Sequence, residues 1–270
     1  MDANSNTAEI VASNVPVTLR KHEKFRPRFL SSARDLIVYL PPGYAEAAQQ
    51  RFPVLYMQDG QNLFDPNTSF VPGMYWRMGE TANQLIVEGA IQPLIIVGIY
   101  NSKQRIREYT PTRDKKQGGG GADRYARSLM EDIKPFIESQ YRALPGAENT
   151  GLGGSSLGGL FTIYLGLTAP GVFGKLAALS PSVWWNQRSI LDIVARSSGQ
   201  WRPRVWLDSG TQEGEHTVED ARFLRDALIS KGWKPESDLH YEETEGGQHN
   251  EAAWAQRIGP CLQFLFPRPA

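Results

Sequence analysis

The stretch Gly151-Leu-Gly-Gly-Ser-Ser-Leu-Gly-Gly-Leu160 contains the pattern Gly-x-Ser-x-Gly as Gly154-Ser-Ser-Leu-Gly158. The apolar run over residues 157–167 that begins inside this stretch has helical character. A nucleophilic serine is often carried on a sharp strand-to-helix turn, where flanking glycines leave room for a strained backbone. The pattern therefore predicts such a turn, with Ser156 as a nucleophile toward esters or related acyl groups.

Two other interpretations compete for the same residues. A Gly/Ser-rich stretch can simply form a turn. The spacing Gly151-x-Gly153-x-x-Ser156 also approaches the dinucleotide fingerprint, but a serine replaces its third glycine. The expected ribose-binding acid is also absent from the segment that begins at Phe173, about 20 residues further on. Nucleotide binding is therefore disfavoured, and the rest of the chain must decide between turn and nucleophile.

Composition excludes several classes of protein. The chain has 270 residues, of which 40% are hydrophobic, so it can bury a substantial core. Lys+Arg and Asp+Glu both number 29, and this balance gives no field that would attract nucleic acid or an anionic membrane. The single cysteine, Cys261, excludes an intramolecular disulfide and a cysteine-based zinc cluster, and its apolar neighbours predict a buried structural thiol. We expect no metal and no cofactor.

The beginning of the chain is polar and carries no basic segment followed by an apolar core. We interpret residues 1–14 as a flexible tail and expect a cytoplasmic protein, although a removed leader would not be visible in this sequence. No apolar run approaches the length of a membrane span. The sequence gives no indication of an oligomeric state.

Short β-rich runs alternate with helical runs along the chain. This alternation predicts one α/β domain over residues 1–270, with an open, mostly parallel, doubly wound sheet and helices on both faces. Within the run 123–141, Pro135 should bend the helix or end its first half. The glycine-rich segment 115–122 lacks the Gly-Lys-Ser/Thr ending of a phosphate loop, so we interpret it as a flexible connection. We predict strands over residues 15–20, 34–40, 52–58, 93–100, 175–180, 204–208 and 238–243, and helices over 79–89, 123–141, 157–167, 187–195, 218–231 and 250–266.

A serine nucleophile needs a base and an acid. His249 follows the strand 238–243 through a glycine turn, and chemistry in open α/β sheets gathers at the carboxyl ends of strands. The other histidines, His22, His216 and His240, are better explained by exposure, helix capping or packing. The acid should follow the strand 204–208, where Asp208 and Glu213 are both candidates and Glu215 is a more distant one. The chain order Ser, acid, His is the order expected of α/β-hydrolases.

Nearly the whole chain, from about Arg34 to Phe266, resembles the putative-esterase family of α/β-hydrolases. That family includes enterochelin and other siderophore esterases, feruloyl and acetylxylan esterases, S-formylglutathione hydrolase and the antigen 85 mycolyltransferases. The stretches that carry the resemblance are Val38-Tyr-Leu-Pro-Pro-Gly-Tyr44, Pro53-Val-Leu-Tyr-Met-Gln-Asp-Gly60, Gly153-Gly-Ser-Ser-Leu-Gly-Gly159, Leu179-Ser-Pro-Ser-Val-Trp-Trp185, Ser209-Gly-Thr-Gln-Glu213 and Gly247-Gln-His249.

The resemblance implies a role for each matched residue. It makes Ser156 the nucleophile, Glu213 rather than Asp208 the acid, and His249 the base. It also implies that the backbone N–H groups of Gln61 and Leu157 form the oxyanion hole. The expected activity is hydrolysis of carboxylic esters through an acyl-enzyme, with an acyltransferase or a non-catalytic binding protein on the same scaffold as alternatives.

The substrate is expected to be a small-molecule or polymer-linked ester. The stretch between Trp185 and Arg204 is too short for a large lid domain, which predicts an open cleft suited to bulky or aromatic esters. Trp76, Trp184 and Trp185 follow strands at the same end of the sheet and could line the cleft, with core packing as the alternative. Arg105, Arg107 and Glu108 could contact an anionic or hydroxylated substrate, but their interpretation as a surface ion-pair cluster is favoured.

Overall fold

A computed structural model of the chain describes residues 15–269, so the predicted tail over residues 1–14 lies outside the described residues. An eight-stranded sheet forms the centre of the molecule, with the strand order β1-β2-β4-β3-β7-β8-β9-β10. The strands in chain order are β1 (Thr18–Phe25), β2 (Arg34–Leu40), β3 (Val54–Gln58), β4 (Ile95–Ile99), β5 (Arg113–Asp114), β6 (Gly118–Gly119), β7 (Thr150–Ser155), β8 (Lys175–Leu179), β9 (Arg204–Gly210) and β10 (Leu239–Thr244).

The pairing pattern confirms the prediction of a mostly parallel sheet. β1 pairs antiparallel with β2, and β2 pairs antiparallel with β4. Every later neighbour in the sheet, from β4–β3 through to β9–β10, is parallel. Fold and topology are those of an α/β-hydrolase.

Helices cover both faces of this sheet. The helices are α1 (Met78–Val87), α2 (Arg105–Tyr109), α3 (Ala122–Ser128), α4 (Lys134–Gln140), α5 (Leu157–Thr168), α6 (Trp185–Arg196), α7 (Thr217–Ser230) and α8 (Glu251–Leu265). α1 and α8 pack together on one face, and α5, α6 and α7 pack on the other. Alternate residues of one strand therefore enter different cores: in β3, Tyr56 belongs to one cluster and Met57 to the other. This two-sided burial explains why the central strands are continuous apolar runs.

Pro135 changes the helix that contains it, as the sequence predicts. Because proline has no N–H, it cannot donate to the carbonyl four residues earlier. The structure places a π-helical turn, Leu129–Ile133, directly before α4, and Pro135 lies in the first turn of α4. The run 123–141 is thus divided into α3, a wider π turn and α4.

The glycine-rich segment forms a defined hairpin. β6 lies within this segment and pairs antiparallel with β5, which directly precedes it, and the last residue of the segment, Ala122, begins α3. Gly118, Gly119 and Gly120 all have positive φ angles, between 77° and 84°, which residues with a Cβ adopt only with strain. The glycines thus serve the tight backbone path of a short hairpin. The segment is thus an ordered hairpin, where the sequence predicted a flexible connection.

Cys261 is fully buried in α8, as predicted for a structural thiol, and burial raises the pKa of its thiol well above the usual value. Within residues 15–269, no helix combines the length and the apolar character needed to cross a membrane.

Gly60 lies two residues after the end of β3, at a position where any side chain would clash. A Cβ at this position would lie 2.4 Å from the backbone carbon of Gly98 in β4. We expect Gly60→Ala to lower the free energy of unfolding by about 3 kcal/mol, because backbone cannot yield as a side chain does. Gly259→Ala is the matched control: its nearest contact would be an ordinary 3.7 Å to Thr81. Urea unfolding should show the control unchanged or stabilised; equal losses in both variants would contradict the clash.

Candidate active site

Ser156 occupies a strained turn between β7 and α5. Its φ and ψ angles are 56° and −123°, a region that non-glycine residues avoid. Such a conformation costs on the order of 1–3 kcal/mol and persists only where the surroundings enforce it. Here the N–H of Ser156 donates to the Leu179 carbonyl at 3.0 Å, and its own carbonyl accepts from Ser182 at 3.0 Å. The Gly/Ser-rich stretch is therefore a sharp strand-to-helix turn.

The two glycines of the pattern are required by close packing. A Cβ at Gly154 would lie 2.9 Å from the Gln58 Cβ and 3.0 Å from the Gly158 backbone carbon. A Cβ at Gly158 would lie 3.0 Å from the same Gln58 atom. The end of β3 thus presses against the turn at both glycines, and only glycine leaves room for it.

His249 and Glu213 meet at the same edge of the sheet. Glu213 follows β9, and His249 follows β10, which is its parallel neighbour. The His249 Nδ1 and the Glu213 Oε2 are 3.1 Å apart. The imidazole also packs edge-on against Trp254, with ring centroids 5.0 Å apart. The acid and base candidates therefore form a hydrogen-bonded pair.

Glu213 is held as a carboxylate. Burial opposes its charge, but hydrogen bonds from His249, Ser180 and the Gly210 N–H, together with the nearby Arg257, outweigh burial and lower its pKa. The Ser180 hydroxyl and the Gly210 N–H donate to Glu213 Oε1 at 2.5 and 2.8 Å. Oε1 is fully engaged by the protein, which leaves Oε2 to face the imidazole.

Asp208 is hydrogen-bonded to Arg257 rather than to His249. It is fully buried and accepts hydrogen bonds from Arg257 at 2.6 Å, from the Trp206 indole at 2.8 Å and from the Ser180 N–H at 3.0 Å. The other terminal nitrogen of Arg257, Nη2, donates to Glu213 Oε1 at 3.0 Å, so one guanidinium binds both carboxylates. Glu215, the third acid considered, is exposed.

Burial raises the pKa of Asp208 from its usual 3.8 to about 6, despite the opposing charge of Arg257. A carboxyl whose pKa is higher in the folded state stabilises the fold at low pH, and this contribution is lost as the pH rises toward and through 6. Asp208→Asn removes the titration. We therefore expect the stability difference between the wild type and this variant, measured by urea unfolding, to shrink from pH 4 to pH 7. A constant difference would contradict the raised pKa.

The Ser156 hydroxyl contacts a second serine. Its Oγ lies 3.3 Å from the Oγ of Ser182, which is buried. Among residues 15–269, the side-chain hydrogen bond of Ser156 is with Ser182 and not with His249. The acid–base pair is thus formed, and the serine–base hydrogen bond is not. Catalytic hydrogen bonds are often completed only when substrate binds.

The two backbone groups implied for the oxyanion hole are available. Gln61 lies in the one-turn helix Gly60–Asn62 after β3, and Leu157 is the first residue of α5. β3 and β7 are parallel neighbours, so both turns are at one sheet edge. Within the described residues, neither N–H donates to a protein acceptor.

The four residues suggested for substrate contact differ in their environments. Trp76 and Trp185 are 2% and 1% exposed, which favours the packing alternative for both. The Trp185 indole donates to the Thr112 carbonyl at 2.9 Å. Trp184, in contrast, is 46% exposed. Arg107 is exposed and lines a cavity of about 450 Å³ together with the glycine hairpin.

The ion pairs suggested for the segment after β4 are present, but they are not at the surface. Glu108 pairs with Arg34 at 2.9 Å, and both side chains are buried. Arg105 pairs with Asp59 at 2.7 Å, where the carboxylate is only 8% exposed. The sequence-based expectation of a surface cluster is wrong in this respect, because the partner side chains come from distant, buried positions.

Among the described residues, none of the other three histidines is hydrogen-bonded to Ser156 or Glu213. His22 is hydrogen-bonded to the Tyr141 hydroxyl at 2.6 Å, and His240 stacks on Trp206 with ring centroids 4.3 Å apart. His216 is the exposed N-cap residue of α7. Within residues 15–269, no group of three or more His, Cys, Asp and Glu side chains is placed to hold a metal.

Sequence patterns did not indicate several residues that contact the site. Ser180 and Ser182 lie within the stretch Leu179-Ser-Pro-Ser-Val-Trp-Trp185, whose position after a strand was the available signal. Arg257 lies in the middle of α8, where nothing in the local sequence marks it as a partner for two carboxylates. In the sequence, the signal for Asp59 was its place in the Asp-Gly turn after the strand.

Most of the chain matches one known protein family. The model of the family described as "Putative esterase" matches residues 29–265. The chain belongs to the putative esterase family. Its class of reaction is therefore the hydrolysis of carboxylic esters.

Several relatives share most of the chain. The Uncharacterized protein YbbA of Bacillus subtilis is 26% identical over 86% of this chain and 92% of its own length. Ferri-bacillibactin esterase BesA of the same organism is 33% identical over 66% of each chain. An endo-1,4-beta-xylanase/feruloyl esterase of Xylanibacter ruminicola is 27% identical over 85% of this chain but only 29% of its own length.

Solved structures share the fold. The enterobactin esterase FES from Shigella flexneri superposes with a TM-score of 0.74 and 18% identity, covering 94% of this chain and 59% of that one. The ferulic acid esterase AmCE1/Fae1A from Anaeromyces mucronatus gives a TM-score of 0.70 and 20% identity, covering 93% and 91%. At these identities the likeness shows the fold alone.

Proposed function

We propose that this esterase acts through a Ser156–His249–Glu213 triad and a covalent acyl-enzyme. The observation that carries the proposal is the hydrogen bond between His249 and the buried Glu213, placed at the sheet edge where the strained Ser156 turn also lies. A buried carboxylate on Nδ1 fixes the imidazole tautomer that leaves Nε2 free to act as a base.

The reaction begins when the Ser156 Oγ attacks the acyl carbon and His249 takes its proton. The carbonyl oxygen becomes an oxyanion, which accepts hydrogen bonds from the N–H groups of Gln61 and Leu157. Removal of one such donor typically costs about 2.7–4 kcal/mol of transition-state stabilisation. His249 then protonates the leaving alcohol, and its positive charge is balanced by Glu213. Water, activated by the same histidine, hydrolyses the acyl-enzyme and restores Ser156.

The proposed substrates are bulky or aromatic esters of small molecules or polymers. The structure describes every residue from Trp185 to the start of β9, and α6 is the one helix or strand among them. No inserted domain therefore covers this side of the site. Trp184, exposed beside the Ser182 loop, offers an apolar face for a planar acyl group. Two relatives are named as a ferri-bacillibactin esterase and a feruloyl esterase, and these names agree with this substrate class.

A labelling experiment and a substrate panel test the proposal together. A fluorophosphonate probe should modify one residue, Ser156, as identified by peptide mass spectrometry. The panel comprises p-nitrophenyl esters of increasing chain length, methyl ferulate, acetylated xylan, S-formylglutathione and a catecholate trilactone. We expect the highest kcat/KM with methyl ferulate or the trilactone. Absence of labelling, or labelling at another residue, would contradict the triad; preference for short p-nitrophenyl esters would contradict the substrate class.

A further inference from the structure

The carboxylate of Asp59 lies beside both turns of the proposed oxyanion hole. Asp59 is two residues before Gln61 and adopts a left-handed conformation, with φ 55° and ψ 46°. Its Oδ2 lies 3.6 Å from the position that a Cβ on Gly158 would occupy, and Gly158 directly follows Leu157. A negative charge at this place opposes the formation of an oxyanion between the two N–H groups.

Arg105 covers this carboxylate. Its Nε and Nη2 donate to the two oxygens of Asp59 at 2.8 and 2.7 Å, in the fork geometry available to arginine. The Asp59 side chain is 8% exposed and that of Arg105 is 29% exposed, so solvent screens the pair only in part. The guanidinium packs over the ring of Tyr109, 5.2 Å from its centroid.

The segment that carries Arg105 also holds the turn through neutral groups. The Asn101 amide donates to Asp59 Oδ1 at 2.6 Å, and the Asn101 N–H donates to the Gln61 side-chain oxygen at 3.2 Å. The Tyr109 hydroxyl accepts from the Asp59 N–H at 3.3 Å. Asn101, Arg105 and Tyr109, which all lie in the segment that follows β4, therefore fix the turn that follows β3.

We propose that Arg105 is a positioning residue of the oxyanion hole, which locks the Asp59–Gln61 turn and neutralises the carboxylate next to the developing oxyanion. The inference rests on the proposed function of Ser156, Gln61 and Leu157. It assigns two separate effects to one side chain: a geometric effect on the Gln61 N–H and an electrostatic effect through Asp59. Both act on the transition state more than on bound substrate, so both should change kcat rather than KM.

The test compares Arg105→Ala, Arg105→Lys and the double variant Arg105→Ala/Asp59→Asn. For Arg105→Ala we expect kcat to fall about 100-fold with KM changed by no more than about threefold, the size of effect seen when an oxyanion donor is lost. Affinity for an arylboronic acid, which forms a tetrahedral anion on Ser156, should fall in parallel with kcat. Arg105→Lys keeps the charge but not the fork, so its loss should be intermediate.

The double variant separates charge from geometry. Because it removes the uncompensated carboxylate, we expect it to recover about tenfold in kcat over Arg105→Ala. Lys103→Ala, which removes an exposed cation two residues away, is the control and should keep wild-type kcat. Melting temperatures establish that each variant is folded; if Arg105→Ala does not fold, Arg105→Lys and its combination with Asp59→Asn carry the same comparison.

The possible outcomes are distinguishable. A wild-type kcat in both Arg105 variants, or a raised KM with intact kcat, would overturn the proposal, and a double variant no faster than Arg105→Ala would overturn its electrostatic part. Failure of the proposed triad has a different signature, since Ser156→Ala would then retain turnover. A fluorophosphonate that still modifies Ser156 completely, but more slowly, in Arg105→Ala supports both together.

Discussion

Ser156→Ala is expected to abolish ester hydrolysis while leaving the fold intact. The substitution removes the atom that would form the acyl-enzyme, and removal of the nucleophile from a triad lowers kcat by on the order of 10⁶-fold. Among residues 15–269, the one side-chain hydrogen bond of Ser156 is with Ser182 at 3.3 Å, so little hydrogen bonding is lost. Initial rates on methyl ferulate and circular dichroism of the same preparation provide the measurement.

Ser156→Gly is the matched control for this variant, because it removes both the hydroxyl and the strain. Ser156 has a φ of 56° and a ψ of −123°, where glycine carries no Cβ penalty. We expect Ser156→Gly to be inactive and more stable than Ser156→Ala by about 1 kcal/mol or more, measured by urea unfolding. Retained turnover in either variant would rule out Ser156 as the nucleophile; equal stabilities would show that the turn is not strained.

Glu213→Gln is expected to lower kcat by on the order of 10³-fold or more, because a neutral amide no longer favours the correct imidazole tautomer or balances its positive charge. Asp208→Asn should reduce kcat far less, since Asp208 contacts Arg257 rather than His249. The two substitutions remove the same charge within one buried network. The comparison therefore shows whether kcat depends on a carboxylate in direct contact with His249 or only on a carboxylate near it.

The free energy of unfolding should show the reverse order: we expect it to fall more in Asp208→Asn than in Glu213→Gln. The amide introduced by Asp208→Asn would place a donor where the carboxylate now accepts from the Trp206 indole, and one unsatisfied buried donor costs about 1–3 kcal/mol. Arg257 keeps Glu213 as a partner in that variant, so its charge remains paired. kcat and unfolding free energy should be measured for both variants. A larger loss of kcat in Asp208→Asn than in Glu213→Gln would reverse the assignment of the acid.

Much of the architecture could be predicted because it depends on local patterns. The apolar runs of β3, β4 and β8, the helical spacing of α7 and the Gly-x-Ser-x-Gly turn are each encoded in contiguous residues. The structure shows the predicted elements with bounds shifted by a few residues, as at β1, which runs from Thr18 to Phe25 rather than over 15–20. The ordered hairpin β5–β6 was not foreseen, because glycines alone do not indicate whether a tight path is enforced.

The partnerships within the site depend on tertiary structure. Nothing in the sequence around Arg257 indicates that it joins Asp208 and Glu213, and nothing around Arg105 indicates a pair with Asp59, 46 residues earlier. The burial of Trp76 and Trp185, against the exposure of Trp184, also follows from which face the surrounding helices cover.

The mostly parallel α/β sheet and the sheet edge that carries Ser156, Glu213 and His249 could therefore be predicted, because strand and helix runs and the turns between them are encoded in contiguous residues. The resemblance to a known family added the α/β-hydrolase fold. The resemblance favoured Glu213 over Asp208, but the choice of partners is visible in the folded chain: Glu213 faces the imidazole, Asp208 faces Arg257, and Arg105 covers the Asp59 carboxylate. These choices are made by side chains that approach one another across neighbouring strands and helices, where a hydrogen bond depends on the position of each backbone to within about an ångström.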